Sequence, residues 1–144
     1  MYRKGQEGLE ILLVHPGGPF FKNKDVGWWS IPKGELHDSE DPLEAAKREF
    51  EEETGITPAG EFTPVGKVAR PRDGKTVEAW AFRGDCDPST VKSNTIELEW
   101  PPHSGKMMTA PEVDRAGFFT PAEARRMLQP YLVPLIDLFE HRVQ

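Results

Sequence analysis

The chain has 144 residues, a net charge of −6 and 37% hydrophobic residues. This is one domain's worth of chain with enough apolar content for a core; it holds no apolar run approaching a membrane span, and its acidic balance disfavours nucleic acid as a partner. The single cysteine, Cys86, excludes an internal disulfide and a thiolate metal cluster and fits a reducing cytoplasm, and the N-terminus lacks a signal-peptide pattern.

Met1–Arg3 reads as the end of an early strand, Lys4–Gly8 as a turn, and the apolar run Leu9–Val14 as a buried strand. His15–Val26 is a loop rich in Gly and Pro. Phe20 and Phe21 are expected to pack this loop onto the core, with stacking on a base as the alternative. Lys22 and Lys24 read as solvated, and His15 as a structural residue at the strand end. Trp28–Gly34 (WWSIPKG) leads into a polar loop and then a helix.

That helix is the best-defined element. Asp41-Pro42-Leu43-Glu44 is a start signal, with a capping acid, a proline suited to the first turn, and Glu44 at a capping-box position. Gly55 is predicted to end the helix in the left-handed conformation. Leu43, Ala46 and Phe50 recur at three- and four-residue steps and predict a buried stripe. Glu49, Glu52 and Glu53 are spaced i, i+3, i+4 and border that stripe. Like charges so spaced cost about 0.2–0.5 kcal/mol per pair in water, but roughly 4 kcal/mol at 4 Å where the effective dielectric is near 20. A solvated acidic face explains them without function. A hard divalent cation, which takes carboxylate oxygens, would instead turn the repulsion into binding.

The wider stretch decides between these. Gly34, Glu40, Arg48, Glu49, Glu52, Glu53, Gly55 and Ile56 fill the fixed positions of Gly, five residues, Glu, seven residues, Arg-Glu-aliphatic-any-Glu-Glu-any-Gly-aliphatic, with Phe50 at the first aliphatic position. The stretch resembles the Nudix box. The resemblance covers essentially the whole chain and implies an α/β fold, a Nudix α/β/α sandwich with a central mixed sheet flanked by helices. It implies Mg²⁺ (or Mn²⁺) held by Glu49, Glu52, Glu53 and the carbonyl of Lys33; the Lys33 ammonium is a candidate phosphate contact, a plain surface charge being the alternative. It gives Arg48 the task of tying down the box acids, Glu40 an electrostatic link from loop to helix, and Gly34 and Gly55 structural roles. Nudix domains usually carry more chain ahead of the Leu9–Val14 strand, so the first strand is expected to be short or atypical.

After the helix, Phe62–Arg70 and Thr76–Arg83 read as strands joined by Pro71-Arg72-Asp73-Gly74-Lys75, a hairpin turn. Large residues on both faces predict a sheet covered on both sides. Arg70, Arg72 and Lys75 form a basic cluster there, and Arg70 and Arg72 are candidate phosphate contacts, a solvated hairpin tip being the plain alternative. Cys86–Asn94 reads as loop, Thr95–Trp100 as a strand, Pro101–Pro111 as a long loop flanking the substrate, and Glu112–Phe119 as another strand. Glu112, six residues before Phe118, resembles the family's further metal ligand or general base. Thr120-Pro121-Ala122-Glu123 is a capping box that starts a helix to about Leu128. A last amphipathic helix ends near His141, with Leu132, Leu135, Ile136, Leu138 and Phe139 turned inward.

Taken together, the resemblance implies a single Nudix domain over residues 1–144, hydrolysing a nucleoside diphosphate linked to another group, with Glu52, Glu53 or Glu112 as base. The partner is a small-molecule nucleotide, with no membrane and no nucleic acid, in a cytoplasmic monomer or homodimer. Trp-x-x-Pro-Lys-Gly resembles the asymmetrical dinucleoside tetraphosphate hydrolases, so dinucleoside polyphosphates or nucleoside triphosphates are the first expectation. The HPGGP loop with PKGE resembles a bacterial subgroup known only as predicted nucleotide pyrophosphohydrolases. The tyrosine that dinucleoside polyphosphate hydrolases often carry past the box is replaced by Gly74, and Pro71 lies near a spacing used by ADP-ribose hydrolases. ADP-ribose or a nucleotide sugar is thus an alternative substrate. A non-catalytic nucleotide sensor and an RNA 5′-end hydrolase are the alternative functions.

Overall fold

The computed structural model describes residues 1–33 and 39–143. The apolar run seen in the sequence lies in β2 (Gly8–Pro16), where Leu12 and Leu13 are fully buried. It pairs antiparallel with β1 (Tyr2–Gly5) on one side and β7 (Val113–Phe119) on the other. The first strand is therefore short, four residues, and forms a tight hairpin with β2.

Tyr2 joins this sheet to a second hairpin, β3 (Thr63–Ala69) with β4 (Thr76–Ala81). Its N–H donates to Phe82 O at 3.0 Å and its carbonyl accepts from Gly84 N–H at 2.9 Å, a parallel bridge that gives the sheet its mixed character.

Helices cover both faces. On one side Leu132, Leu135, Ile136 and Phe139, from α3 (Val133–Arg142) and the turn before it, pack with Ile11, Leu13, Val65 and Ala81. On the other, Phe50 of α1 (Pro42–Thr54) meets Leu12 and Phe82. The short α2 (Pro121–Met127) starts with the expected capping box between Thr120 and Glu123. α1 begins where the sequence placed it, with the Asp41 carboxylate accepting from Leu43 and Glu44 N–H. It ends at Gly55 with φ +76°.

Four expectations need correction. Met107–Pro111 is not loop but strand β6, paired antiparallel with β5 (Thr95–Glu99); its methionines hide the alternation that a β-branched strand would display. On α1 the buried alanine is Ala45, 6% exposed, not Ala46, which with Leu43 is only half-buried beside the cleft. Leu138 is 36% exposed and rests over Gly66 at the edge of the α3 interface. Phe20 is 53% exposed and packs edge-on with Phe21 and Trp28 in a surface cluster with Lys24, rather than onto the core.

Candidate active site

The box helix delivers its acids as the spacing demanded, but their environments differ. Glu53 is buried, 7% exposed, and its Oε2 accepts a hydrogen bond from Lys33 N–H at 2.9 Å. Burial raises its pKa to about 8, with the negative charge of Glu112 as the next cause. Glu112 stands just ahead of β7, and its pKa is also raised, first by burial and then by Glu49 and Glu52. The tertiary fold has therefore brought a carboxylate from the far end of the chain to the three of the helix.

Arg48 crosses this group. Its Nε donates to Glu40 Oε2 at 2.9 Å and its Nη2 to Glu40 Oε1 at 3.1 Å, a two-pronged pair. Its Nη1 donates to Glu49 Oε1 at 2.7 Å and to Glu52 Oε2 at 3.2 Å. The guanidinium thus joins the loop before the helix to two acids of its middle, and these acids hold its pKa well above the usual arginine value.

Among the described residues, no three His, Cys, Asp or Glu side chains converge closely enough to hold a metal ion. Glu49 and Glu52 are turned toward Arg48, and Gly34, which follows the Lys33 carbonyl, lies outside the described residues. In kind, however, the donors suit a hard divalent cation: carboxylate oxygens, crowded enough that burial and like charge suppress ionisation of Glu53 and Glu112.

A cleft of about 850 Å³ opens beside the helix. Leu43, Phe50, Phe62, Trp80 and Phe82 form apolar wall, and Lys33, Lys47, Lys67, Arg70 and Lys75 bring positive charge. Glu49 lines it as well, whereas Glu52, Glu53 and Glu112 stand outside its lining. Of the candidate phosphate contacts, Lys33 and Arg70 face the cleft. Arg70 is already paired with Asp73 at 2.6 Å across the turn. Arg72 does not line the cleft; its side chain is 76% exposed at the hairpin tip.

A family model described as the NUDIX domain matches residues 1–139. The chain belongs to the Nudix family. Members of this family generally use divalent metal ions. Sequence likeness to two curated proteins spans about a third of the chain. It is 45% identical over 47 residues to Nudix hydrolase 7 of Arabidopsis thaliana and 40% identical over 50 residues to an RNA pyrophosphohydrolase of Xylella fastidiosa. These alignments cover 33% of this chain in each case and only 16% and 26% of those proteins. In three dimensions the chain is similar to a C. elegans Ap4A hydrolase, with TM-score 0.64, 21% identity, and coverage of 97% of this chain and 90% of that one. It is also similar to the NUDIX domain of Shewanella oneidensis NrtR complexed with ADP ribose, with TM-score 0.63, 16% identity, and coverage of 99% and 83%. At such identities the likeness speaks for the Nudix fold alone.

Several residues near the box helix and the cleft were not singled out by the sequence. Lys47 and Lys67 belong to no motif, yet both line the cleft, Lys47 with its Nζ 4.6 Å from the Phe62 ring centre. Their signal was positional: Lys47 lies one helical turn from the Leu43 face, and Lys67 lies opposite Glu78 in the hairpin register. Ser93 and Asn94 gave no signal at all, being polar residues in a loop.

Proposed function

We propose that this chain is a Mg²⁺- or Mn²⁺-dependent pyrophosphohydrolase acting on a nucleoside diphosphate linked to a further group. The observation that carries the reading is that Arg48 holds Glu49 and Glu52 while Glu53 and Glu112 lie close enough to repel one another, beside a cleft that is apolar within and lined by lysines. Such a cleft suits a flat apolar base joined to a polyanion.

Glu49, Glu52, Glu53, Glu112 and the Lys33 carbonyl would hold the cation. When bound, a divalent ion supplies charge neutralisation on the diphosphate and a lowered pKa for a bound water. Arg48 keeps Glu49 and Glu52 from swinging away and anchors them to Glu40. Lys33, with Lys47 and Lys67, would orient the phosphates through charge. In the reaction a water oxygen bonds to phosphorus, the bridging phosphorus–oxygen bond breaks, and the water proton passes to a carboxylate within hydrogen-bond reach. Glu52, Glu53 and Glu112 are the candidates for that base. The products are a nucleoside phosphate and a second phosphate compound.

Dinucleoside polyphosphates and nucleoside triphosphates are the first substrates to test. ADP-ribose is next, because a similar Nudix domain is known in complex with it. The lone, unpaired Cys86 suits a cytoplasmic setting. A nucleotide panel with Mg²⁺, with products identified by mass and isotope-labelled water marking the attacked phosphorus, tests the reading. Hydrolysis of at least one diphosphate-linked nucleotide is the expected result. Tight nucleotide binding without turnover on any of them would leave a non-catalytic sensor module instead.

A further inference from the structure

Glu112 reaches the box acids through a strap of three residues, Lys92 to Asn94. On one side the strap is bonded to the last turn of α1: Lys92 N–H donates to Thr54 O at 3.0 Å and Asn94 N–H to Glu52 O at 2.8 Å. These carbonyls belong to the helix end, where no partner within the helix remains for them. The approach is close enough that a Cβ on Gly55 would lie 2.9 Å from Lys92 O. On the other side the strap holds the start of β7. Glu112 N–H donates to Asn94 O at 2.9 Å, and the Ser93 hydroxyl oxygen accepts from Val113 N–H at 3.0 Å. The same hydroxyl faces Asn94 O at 2.8 Å and Val113 O at 3.2 Å as acceptors for its own proton. Gly17 N–H donates to Glu112 O at 2.9 Å and fixes the opposite side of that peptide.

Resting on the reading of Glu112 as part of the site, we propose that Ser93 is a positioning residue that sets the Glu112 carboxylate against Glu49, Glu52 and Glu53. The hydroxyl is the one strap side chain that bonds the β7 start, and it sits one residue from each backbone link between strap, helix and Glu112. Its loss would let Glu112 slide relative to the helix while both elements stay folded. The function assigned to it is the spacing of acids from separate elements, which governs how well they share one cation.

The test compares Ser93→Ala, Ser93→Thr, Glu112→Gln and the double variant S93A/E112Q with the unaltered chain. Mn²⁺ binding is read by electron paramagnetic resonance of the free ion without nucleotide, and kcat and KM are read separately. S93A is expected to weaken Mn²⁺ binding about tenfold, in the range seen when groups that orient ligands are removed. S93T, which keeps the hydroxyl, should restore it to within about twofold. On the E112Q background S93A should add nothing, since it acts through Glu112. A Thr90→Ala control, which removes another loop hydroxyl bond, that to Asp87 O, should leave Mn²⁺ binding unchanged. If S93A folds poorly, Ser93→Cys, similar in size but a weak hydrogen-bonding partner, takes its place in the same comparison. Unchanged Mn²⁺ binding in S93A beside impaired binding in E112Q would overturn the assignment to Ser93. A full S93A loss repeated on the E112Q background would overturn it too. If E112Q itself binds and turns over normally, the placing of Glu112 in the site falls, and the role of Ser93 falls with it.

Discussion

Lys33 and Glu53, twenty residues apart, are joined by a hydrogen bond of 2.9 Å from the backbone N–H of the first to Oε2 of the second. The bond draws the chain ahead of the box loop onto the buried acid of the box helix. It also works against burial, because an N–H donor favours the charged carboxylate, yet burial prevails and the pKa stands at about 8. Glu53 is thus held in place by backbone and, without a cation, favours its neutral form.

The first prediction concerns turnover. Glu52→Gln and Glu53→Gln are each expected to lower kcat by roughly a hundredfold or more, the scale of losing a general base or metal ligand. Folding, read by circular dichroism, should change little. Full activity in both variants would remove the site assignment.

Glu53 also makes stability depend on pH. In the unfolded chain it titrates near 4.5, and in the fold near 8. The folded state therefore binds the proton more tightly, so the contribution is fully present below the unfolded value and is lost as pH rises through 8. Without divalent cation, Tm should fall between about pH 5 and pH 9. Mg²⁺ should recover stability most at the alkaline end, where the carboxylate is free to take it. Glu53→Gln should flatten both trends in a calorimetric series.

Arg48→Ala would remove both prongs on Glu40 and release Glu49 and Glu52 into mutual repulsion. A loss of about 2 kcal/mol in stability is expected, typical of charge-assisted hydrogen bonds, and at least tenfold in kcat/KM. Arg48→Lys should recover little, because an ammonium cannot make the two parallel bonds. Urea unfolding and steady-state kinetics on the pair decide this.

The lysines of the cleft should act on binding more than on chemistry. Lys33→Ala and Lys67→Ala are expected to raise KM severalfold with kcat little altered, the signature of interactions equal in ground and transition states. Arg72→Ala, outside the cleft lining, should alter neither. A fall in kcat for Lys67→Ala would move that residue into the chemical step.

His15 offers a purely structural test. It is fully buried, its Nδ1 is 2.7 Å from Asp114 Oδ1, its Nε2 is 2.6 Å from Lys24 O, and its ring packs edge-on against Trp29. His15→Phe keeps the ring but loses the bonds to Lys24 O and to the partly solvated Asp114 carboxylate, at an expected cost of about 1–3 kcal/mol. Thermal unfolding measures it, and hydrogen exchange should show the 17–28 loop loosened first.

The box helix was legible in the sequence because everything that defines it is local. Asp41 caps the N–H groups two and three residues on, Gly55 supplies the left-handed turn, and a period of 3.6 fixes which acids share an arc. The order of strands β2, β3, β4, β5 and β7 was legible for the same reason, since alternation and turn residues act over a few positions. Other features depend on groups far apart in the chain. Nothing near Glu112 announces that burial and two helix acids will raise its pKa, or that a strap bonded to Glu52 and Thr54 will hold it there. Strand β6 is made by its pairing with β5 rather than by its own composition. The cleft exists because α1 and the β3–β4 hairpin leave space that their apolar residues do not fill. Local backbone and side-chain preferences thus determined which acids this chain offers, and long-range packing, whose outcome no single segment encodes, decided which of them meet.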